Sequence, residues 1–396
     1  MAEMALDGIR VVEVSTWVAA PSTGIFLSDF GADVIRVEPL GGDPVRGLGR
    51  AEFNWMWEEW NRGKRGLAVD TRQEQGQHIM HQLVKDADVF LSNLRPGALK
   101  RAGLDYDTLS KLNPRLIYAS QTGYGLRGAG TERPSFDEVG FWARGGLMSV
   151  LGEPDSPPPA LRGAPGDHTT AMVTLAAICL ALFVRERTGL GQQVETSLLA
   201  TGVWVAGQSV QQYLTSGVEP ARTSRRMARN PLSNTYKCKD GKWIVLAMFD
   251  PGRFWGDFLK AIGRKDLEDD ARFDSPQKRV ENCEELIRTL DDTLATKTRD
   301  EWAPLLDQGE LIWGPMHTVR EVAEDPYVLD NEYIVEYDHF SQGRIRGLAC
   351  PLKLHRTPGR IKGGAPGLGQ HTEEILLEMG HTHAEIEDLK QKKVVI

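Results

Sequence analysis

At 396 residues, with 41% hydrophobic and 26% charged side chains, the chain has a globular composition and length enough for two domains. A formal net charge of −8 argues against general nucleic-acid binding, which calls for a basic face. Cys179, Cys238, Cys283 and Cys350 stand too far apart for a zinc site or a disulfide framework and suit a reducing cytoplasm.

The first residues lack the charged and apolar regions of a signal peptide. Ile9–Ser15 then reads as a strand, Pro21–Phe30 as a helix closed by Gly31, and Ala32–Val37 as a second strand. Gly66–Asp70, Ala87–Ser92 and Leu116–Ser120 are further strands; Gln73–Val84, Pro96–Ala102 and Tyr106–Leu112 are helices between them. This alternation predicts an α/β fold with a parallel sheet covered by helices on both faces. Ligands of such folds sit beyond the carboxyl ends of the strands, here Thr16–Ala19, Glu38–Pro39, Asn93–Arg95 and Gln121–Gly125. Arg36, Arg46, Arg50, Arg62, Lys64, Arg65, Arg95, Lys100 and Arg101 crowd this first quarter, a pattern suited to a small polyanion.

Pro165 and Gly166 break the chain just before Ala171–Val184, an apolar run that reads as a buried helix too short to cross a bilayer. Asp167 then falls at or next to the N-cap. Unpaired amides and a positive helix end should keep it ionised at neutral pH, and the same donors would hold an anionic carbonyl intermediate. A carboxylate in such a place either caps the helix or attacks an activated acyl group.

Residues 225–326 read as a smaller α+β domain. Thr235–Lys237 and Trp243–Met248 flank the turn at Lys239–Gly241, and helical patterns follow at Gly252–Ile262, Val280–Leu294 and Arg299–Leu306. Residues 211–224 and 327–339 read as linkers. The tail, 340–396, carries a glycine-rich loop at Gly363–Gly369 and a helix at Thr372–Glu378.

Other signals carry less. Gly123–Gly128 matches G-x-G-x-x-G, but the glycines and proline after it cannot promptly open the helix a dinucleotide fingerprint needs. His78 with His81, and His381 with His383, have no third ligand by spacing, so no metal site is expected. No G-x-S-x-G elbow or Walker loop is present.

An ordered set of motifs is more specific. They are Leu6–Glu13, Gly31–Pro39, Asn61–Leu67, Asn93–Gly97, Gly123–Gly125, Phe136–Asp137, Gly145–Met148, Gly166–Asp167, Arg187–Gln192 and Gly364–His371. Together they resemble the family III CoA-transferases, the group of formyl-CoA transferase and carnitine CoA-transferase, over nearly the whole chain. The resemblance implies a Rossmann-like large domain built from both chain ends (1–210 and 340–396), a small middle domain, and an interlocked cytoplasmic homodimer. It implies acyl-CoA and a small carboxylic acid as substrates, with no permanently bound cofactor and no nucleic-acid or membrane partner.

In that family the aspartate of the Gly-Asp motif is the nucleophile, which here is Asp167, with Asp137 an acidic position beside the acyl site. CoA contacts carry over to Trp17, Val18, Ala19, Arg36, Leu67, Asn93, Leu94, Arg101 and Tyr124, with Arg36 and Arg101 suited to phosphate. Val18 stands where formyl-CoA transferase has glutamine, and its glycine run is missing around Met248–Arg253; both favour a bulkier, more apolar acyl group. Two alternatives stand beside the transferase. One is an α-methylacyl-CoA racemase on the same fold, whose Gly-His-Asp motif is Ser135-Phe136-Asp137 here; phenylalanine cannot carry a proton. The other is a CoA-binding homologue without turnover.

Overall fold

The computed structural model describes residues 4–48, 53–159 and 162–396. Two compact units divide the chain: Met1–Met148 with Ala160–Val218 and Tyr327–Ile396, and Ser149–Pro159 with Glu219–Pro326.

In the larger unit β1 (Arg10–Val14), β2 (Asp33–Glu38), β3 (Arg65–Ala68), β4 (Val89–Ser92), β5 (Ile117–Thr122) and β6 (Gln193–Ser197) form a six-stranded sheet ordered β3-β2-β1-β4-β5-β6. Every pairing in it is parallel. Helices α1 (Ala19–Asp29), α2 (Trp55–Asn61), α3 (Glu74–Lys85), α4 (Pro96–Arg101) and α5 (Tyr106–Leu112) fall between successive strands up to β5. The short α6 (Leu147–Val150) and the long α7 (Pro165–Thr188) separate β5 from β6, which α8 (Leu198–Val205) and α9 (Gly207–Ser216) follow.

Side chains alternate across the sheet. Val12, Val14, Phe90 and Tyr118 enter one core with α3, while Val11, Leu91, Ile117 and Ala119 enter another with α1 and α7. The strand order turns between β1 and β4, so a crevice opens at the carboxyl ends of those two strands.

The smaller unit holds β7 (Ser233–Lys237), β8 (Trp243–Ala247) and β9 (Trp313–Pro315) in an antiparallel sheet. Helices α10 (Pro251–Ile262), α11 (Pro276–Glu281), α12 (Cys283–Leu294), α13 (Arg299–Asp307) and α14 (Val319–Glu324) complete it, around a core that includes Tyr236, Phe258, Phe273 and Trp302.

Helix α15 (Pro326–Asp330) and the hairpin of β10 (Ile334–His339) with β11 (Gly343–Leu348) follow, then α16 (Thr372–Glu378) and α17 (His383–Gln391). Segment 327–339 is therefore largely structured rather than a bare linker, and α9 covers the start of 211–224. The glycine-rich tail loop is a clasp on α2: Pro366 O accepts from Trp57 Nε1 and from Arg46 at 3.0 Å each, and Ala365 N donates to Glu58 at 2.9 Å.

Helix α7 departs from its sequence reading. It runs 24 residues, long and apolar enough by length and composition to cross a membrane. Yet Ala171, Leu175 and Ile178 pack it against the sheet, as in a core helix of a folded domain. Only that face is covered; Met172, Val173, Leu180, Phe183 and Val184 stay exposed.

Candidate active site

The start of α7 is built by two unusual residues. Ala164, the N-cap, sits in the left-handed region at φ 51°, and Pro165 opens the helix with the φ its ring enforces. The first helical hydrogen bond is His168 N to Ala164 O at 3.1 Å. Asp167 therefore lies inside the first turn, not at the cap, and Asp137 takes the place at the helix end that the sequence assigned to an oxyanion. Its buried carboxyl lies close enough to the amides of Gly166 and Asp167 for them to favour its charged form, although Oδ1 makes no well-formed hydrogen bond. Trp142 Nε1 donates to Oδ2 at 3.1 Å. Asp137 stands at the mouth of a π-helical turn, Glu138–Ala143, a distortion that often marks functional sites.

Gly166 makes this approach possible. A Cβ there would lie 2.0 Å from Asp137 Oδ1 and 2.4 Å from Phe141 Cγ, so both neighbours would have to move. Gly166→Ala is expected to cost roughly 1–3 kcal/mol, read by denaturant unfolding, and at least tenfold in kcat.

Burial and the nearby charges of Asp137 and Glu138 push the Asp167 pKa up to about 7. The ionised state expected from the helix end alone is thus opposed, because desolvation and like charges outweigh the helix dipole. Burial also raises Asp137, so the two carboxyls form a coupled pair. His168 turns toward α1 and α2, with Nδ1 3.4 Å from Ser22 Oγ and Nε2 3.7 Å from Glu59. Burial keeps its pKa low and therefore favours the neutral ring.

The β1 end lies beside this helix start. Trp17, Val18 and Ala164 share one apolar cluster, and Trp17 meets Phe136 edge-on at 5.2 Å between ring centroids. Trp17 holds a left-handed backbone at φ 63°, its amide donating to Asp43 at 3.3 Å. Asn93 ties the crevice together: it accepts from Thr16 N at 2.9 Å and donates to Thr16 O at 2.7 Å. Val18 and Ala19 are buried at the start of α1. Tyr124 has Arg133 and Arg144 over its ring and a buried hydroxyl without a partner.

The basic cluster sorts into two kinds. Arg36 is fully buried, held by Glu13 at 3.0 Å and Asp43 at 2.5 Å; Lys64 joins the same Glu13 at 2.9 Å. Two carboxylates already neutralise Arg36 inside the protein, so it cannot reach a phosphate as the sequence suggested. Leu67 likewise lies in the core and offers a ligand only its backbone. Arg46, Arg62 and Arg65 are in ion pairs, whereas Arg50 lies outside the described residues. Arg95, Lys100 and Arg101 make no ion pair among the described residues, and Lys100 and Arg101 are exposed on α4. Beside them a cavity of about 390 Å³ is lined by Leu94, Gly97, Lys100 and Thr122. Arg36→Met would leave Glu13 and Asp43 short of a buried partner. It is expected to lower unfolding free energy by ~3–5 kcal/mol in a urea titration while leaving the CoA affinity of the folded fraction near wild type.

Sequence reasoning missed the His168–Ser22–Glu59 contacts and the Glu13–Arg36 pair. The last left a signal: one charge of each sign in adjacent apolar strands, at the register Glu13↔Arg36.

Residues 6–372 match CoA-transferase family III. The chain is 31% identical to (R)-2-hydroxy-4-methylpentanoate CoA-transferase of Clostridioides difficile, over 99% of this chain and 100% of that one. It is 32% identical to cinnamoyl-CoA:phenyllactate CoA-transferase of Clostridium sporogenes, over 98% and 97%. A crystal structure of a CAIB/BAIF family protein from Brucella suis superposes with a TM-score of 0.86 at 32% identity, covering 95% of this chain and 100% of that chain. The ordered motifs, the parallel sheet and these likenesses agree: the chain belongs to the family III CoA-transferases.

Proposed function

We propose that the protein moves CoA from a donor acyl-CoA to an acceptor carboxylic acid, with Asp167 as the nucleophile. The observation that carries the reading is a buried carboxyl in the first turn of α7, whose charge no hydrogen bond favours and which a second carboxyl flanks. Ionised Asp167 attacks the thioester carbonyl, the C–S bond breaks, and an aspartyl mixed anhydride and CoA thiolate result. The thiolate then attacks the aspartyl carbonyl, releasing the first acid and leaving an aspartyl-CoA thioester. The acceptor carboxylate attacks that thioester, and the freed thiolate takes the new acyl group from the anhydride, restoring Asp167. Thioester energy is conserved throughout, and water must be kept out because either intermediate would hydrolyse.

Trp17 and Phe136 would wall the acyl group, which favours one with an apolar body. The nucleotide would lie toward Asn93, Leu94 and Arg101, with Arg95 and Lys100 as further cations in place of Arg36. The exposed apolar side chains of α7, with Trp204 of α8 and Leu214 of α9, support a homodimer in which these faces meet. A Rossmann-like large domain that includes the C-terminal segment is part of the same reading. Four free thiols suit a cytoplasmic enzyme.

The racemase alternative is disfavoured because Phe136 stands where that chemistry needs a proton carrier. Incubation with acyl-CoA and isotopically labelled free acid should move label into the thioester without ATP. Deuterium wash-in at the α-carbon with no acceptor acid would instead support the racemase, and CoA binding with neither exchange would support a non-catalytic homologue.

A further inference from the structure

The turn that joins β1 to α1 is strained, and a buried carboxylate holds it. Trp17 has a left-handed backbone at φ 63°, a true outlier for so bulky a residue. It belongs to neither element: β1 ends at Val14, and Ala19 opens α1 behind Val18, an N-cap that makes no side-chain bond. Residues in such conformations persist where their surroundings over-determine them, and they gather at functional sites.

Here the surroundings are side chains that follow the two strands flanking β1. Asn93, after β4, holds both backbone groups of Thr16. Asp43, after β2, accepts from Trp17 N at 3.3 Å through Oδ2. It gets there because Gly42, at φ 76°, closes a turn onto Pro39 O at 2.8 Å and sends the chain back toward β1. Asp43 is buried and fixed from several sides. Its own N donates to Glu38 at 2.9 Å, Oδ1 accepts from Val45 N at 2.8 Å, and Arg36 donates to Oδ2. Glu13 grips Arg36 and Lys64 in turn, so four buried charges form one network that ends on the Trp17 amide.

The direction of a side chain follows its backbone angles. With its amide released, Trp17 would relax to the negative φ of ordinary residues, and its ring would swing away from Phe136, which it meets edge-on at 5.2 Å. Phe136 directly precedes Asp137, so the swing would open the wall beside the carboxyl pair. We infer that Asp43 is a positioning residue for acyl selectivity: it holds the Trp17 amide and thereby keeps the Trp17–Phe136 wall that favours longer apolar acyl chains. This rests on the reading that Trp17 and Phe136 wall an acyl group delivered to Asp167. Asp43 also caps the 3₁₀ turn Pro44–Gly47 through Val45, but a cap alone would make no demand on Trp17.

The test mixes the full-length enzyme with hexanoyl-CoA or acetyl-CoA, each well below saturation and without acceptor, and follows Asp167 labelling by mass spectrometry. The ratio of the two rates counts only enzyme that reacts, so loss of folded protein does not enter it. Wild type should favour hexanoyl by roughly tenfold or more, since added methylenes are worth at least that in an apolar pocket. Trp17→Ala and Asp43→Ser should each bring the ratio to about threefold or less; serine can still cap Val45 N but is too short to reach Trp17. In the double variant the ratio should fall no further, because Asp43 works only through Trp17. An Asp43→Ser enzyme that keeps the wild-type ratio while Trp17→Ala loses it, or a further fall in the double variant, would overturn the assignment. If the serine variant yields no folded enzyme, a wild-type complex with hexanoyl-CoA decides. The chain packed on Trp17 with the Asp43 bond intact supports the assignment, and a Trp17 amide free of Asp43 overturns it. No preference in wild type, or an unchanged ratio in Trp17→Ala, removes the acyl wall and the assignment with it. Absence of label on Asp167 removes the nucleophile, so the three failures remain distinguishable.

Discussion

Asp167→Asn should abolish CoA transfer, lowering kcat by at least ~10⁴-fold, while the folded protein still binds CoA. An amide oxygen cannot displace a thiolate, and no other residue near the start of α7 can inherit the role. One oxygen of Asp137 is held by Trp142 Nε1, and His168 turns toward Ser22 and Glu59. The substitution should also be tolerated by the fold. No hydrogen bond favours the charge of Asp167, and its ionised form is disfavoured by burial and by two neighbouring carboxylates. Steady-state rates and calorimetry on the same preparation separate the two effects.

The sign of the stability change depends on pH. The folded pKa of Asp167, about 7, lies above the value of ~3.9 in an unfolded chain, so the unfolded state ionises first as pH rises. The cost begins near the unfolded value and is fully present above the folded one. Asp167→Asn should therefore raise Tm relative to wild type at pH 8 and change it little at pH 4.

The second large effect is on the rate profile. An attacking carboxylate must be ionised, so kcat/KM should rise nearly tenfold per pH unit between pH 5 and 6.5 and level off above 8. Asp137→Asn removes one of the charges that raises Asp167, and its rise should move to lower pH. A profile flat from pH 5 to 8 in wild type would mean that Asp167 is not held in a dry, acidic pair. Because the pair is coupled, the measured values belong to both carboxyls together.

The order of strands and helices was legible because parallel strands covered on both faces read as short apolar runs between capped helices. Helix α2 was not; three tryptophans in Trp55–Trp60 look like packing whatever the backbone does, and the cap at Asn54 is a single side chain. The late hairpin of β10 and β11 was also hidden, since its residues alternate only weakly between core and solvent. For the site, the motifs pointed to Asp167, Asp137, Trp17 and Asn93, all of which the fold brings to the carboxyl ends of β1 and β4 or to the start of α7. Arg36 misled because a basic residue near the end of a strand suits a phosphate equally well in sequence whether it faces outward or inward. Its inward turn depends on Glu13, 23 positions away, and on Asp43. The raised pKa of Asp167 was equally invisible, since it comes from burial in the folded chain and from the charges of Asp137, which the chain brings back over Gly166, and Glu138.

The central claim is covalent, and mass spectrometry tests it most directly. The enzyme is mixed with acyl-CoA and no acceptor, quenched with hydroxylamine or borohydride, and digested. The peptide containing Asp167 should carry the hydroxamate or the reduced side chain, in an amount that tracks active sites. Full transfer activity with Asp167 unmodified, or the label on another residue, would contradict the assignment.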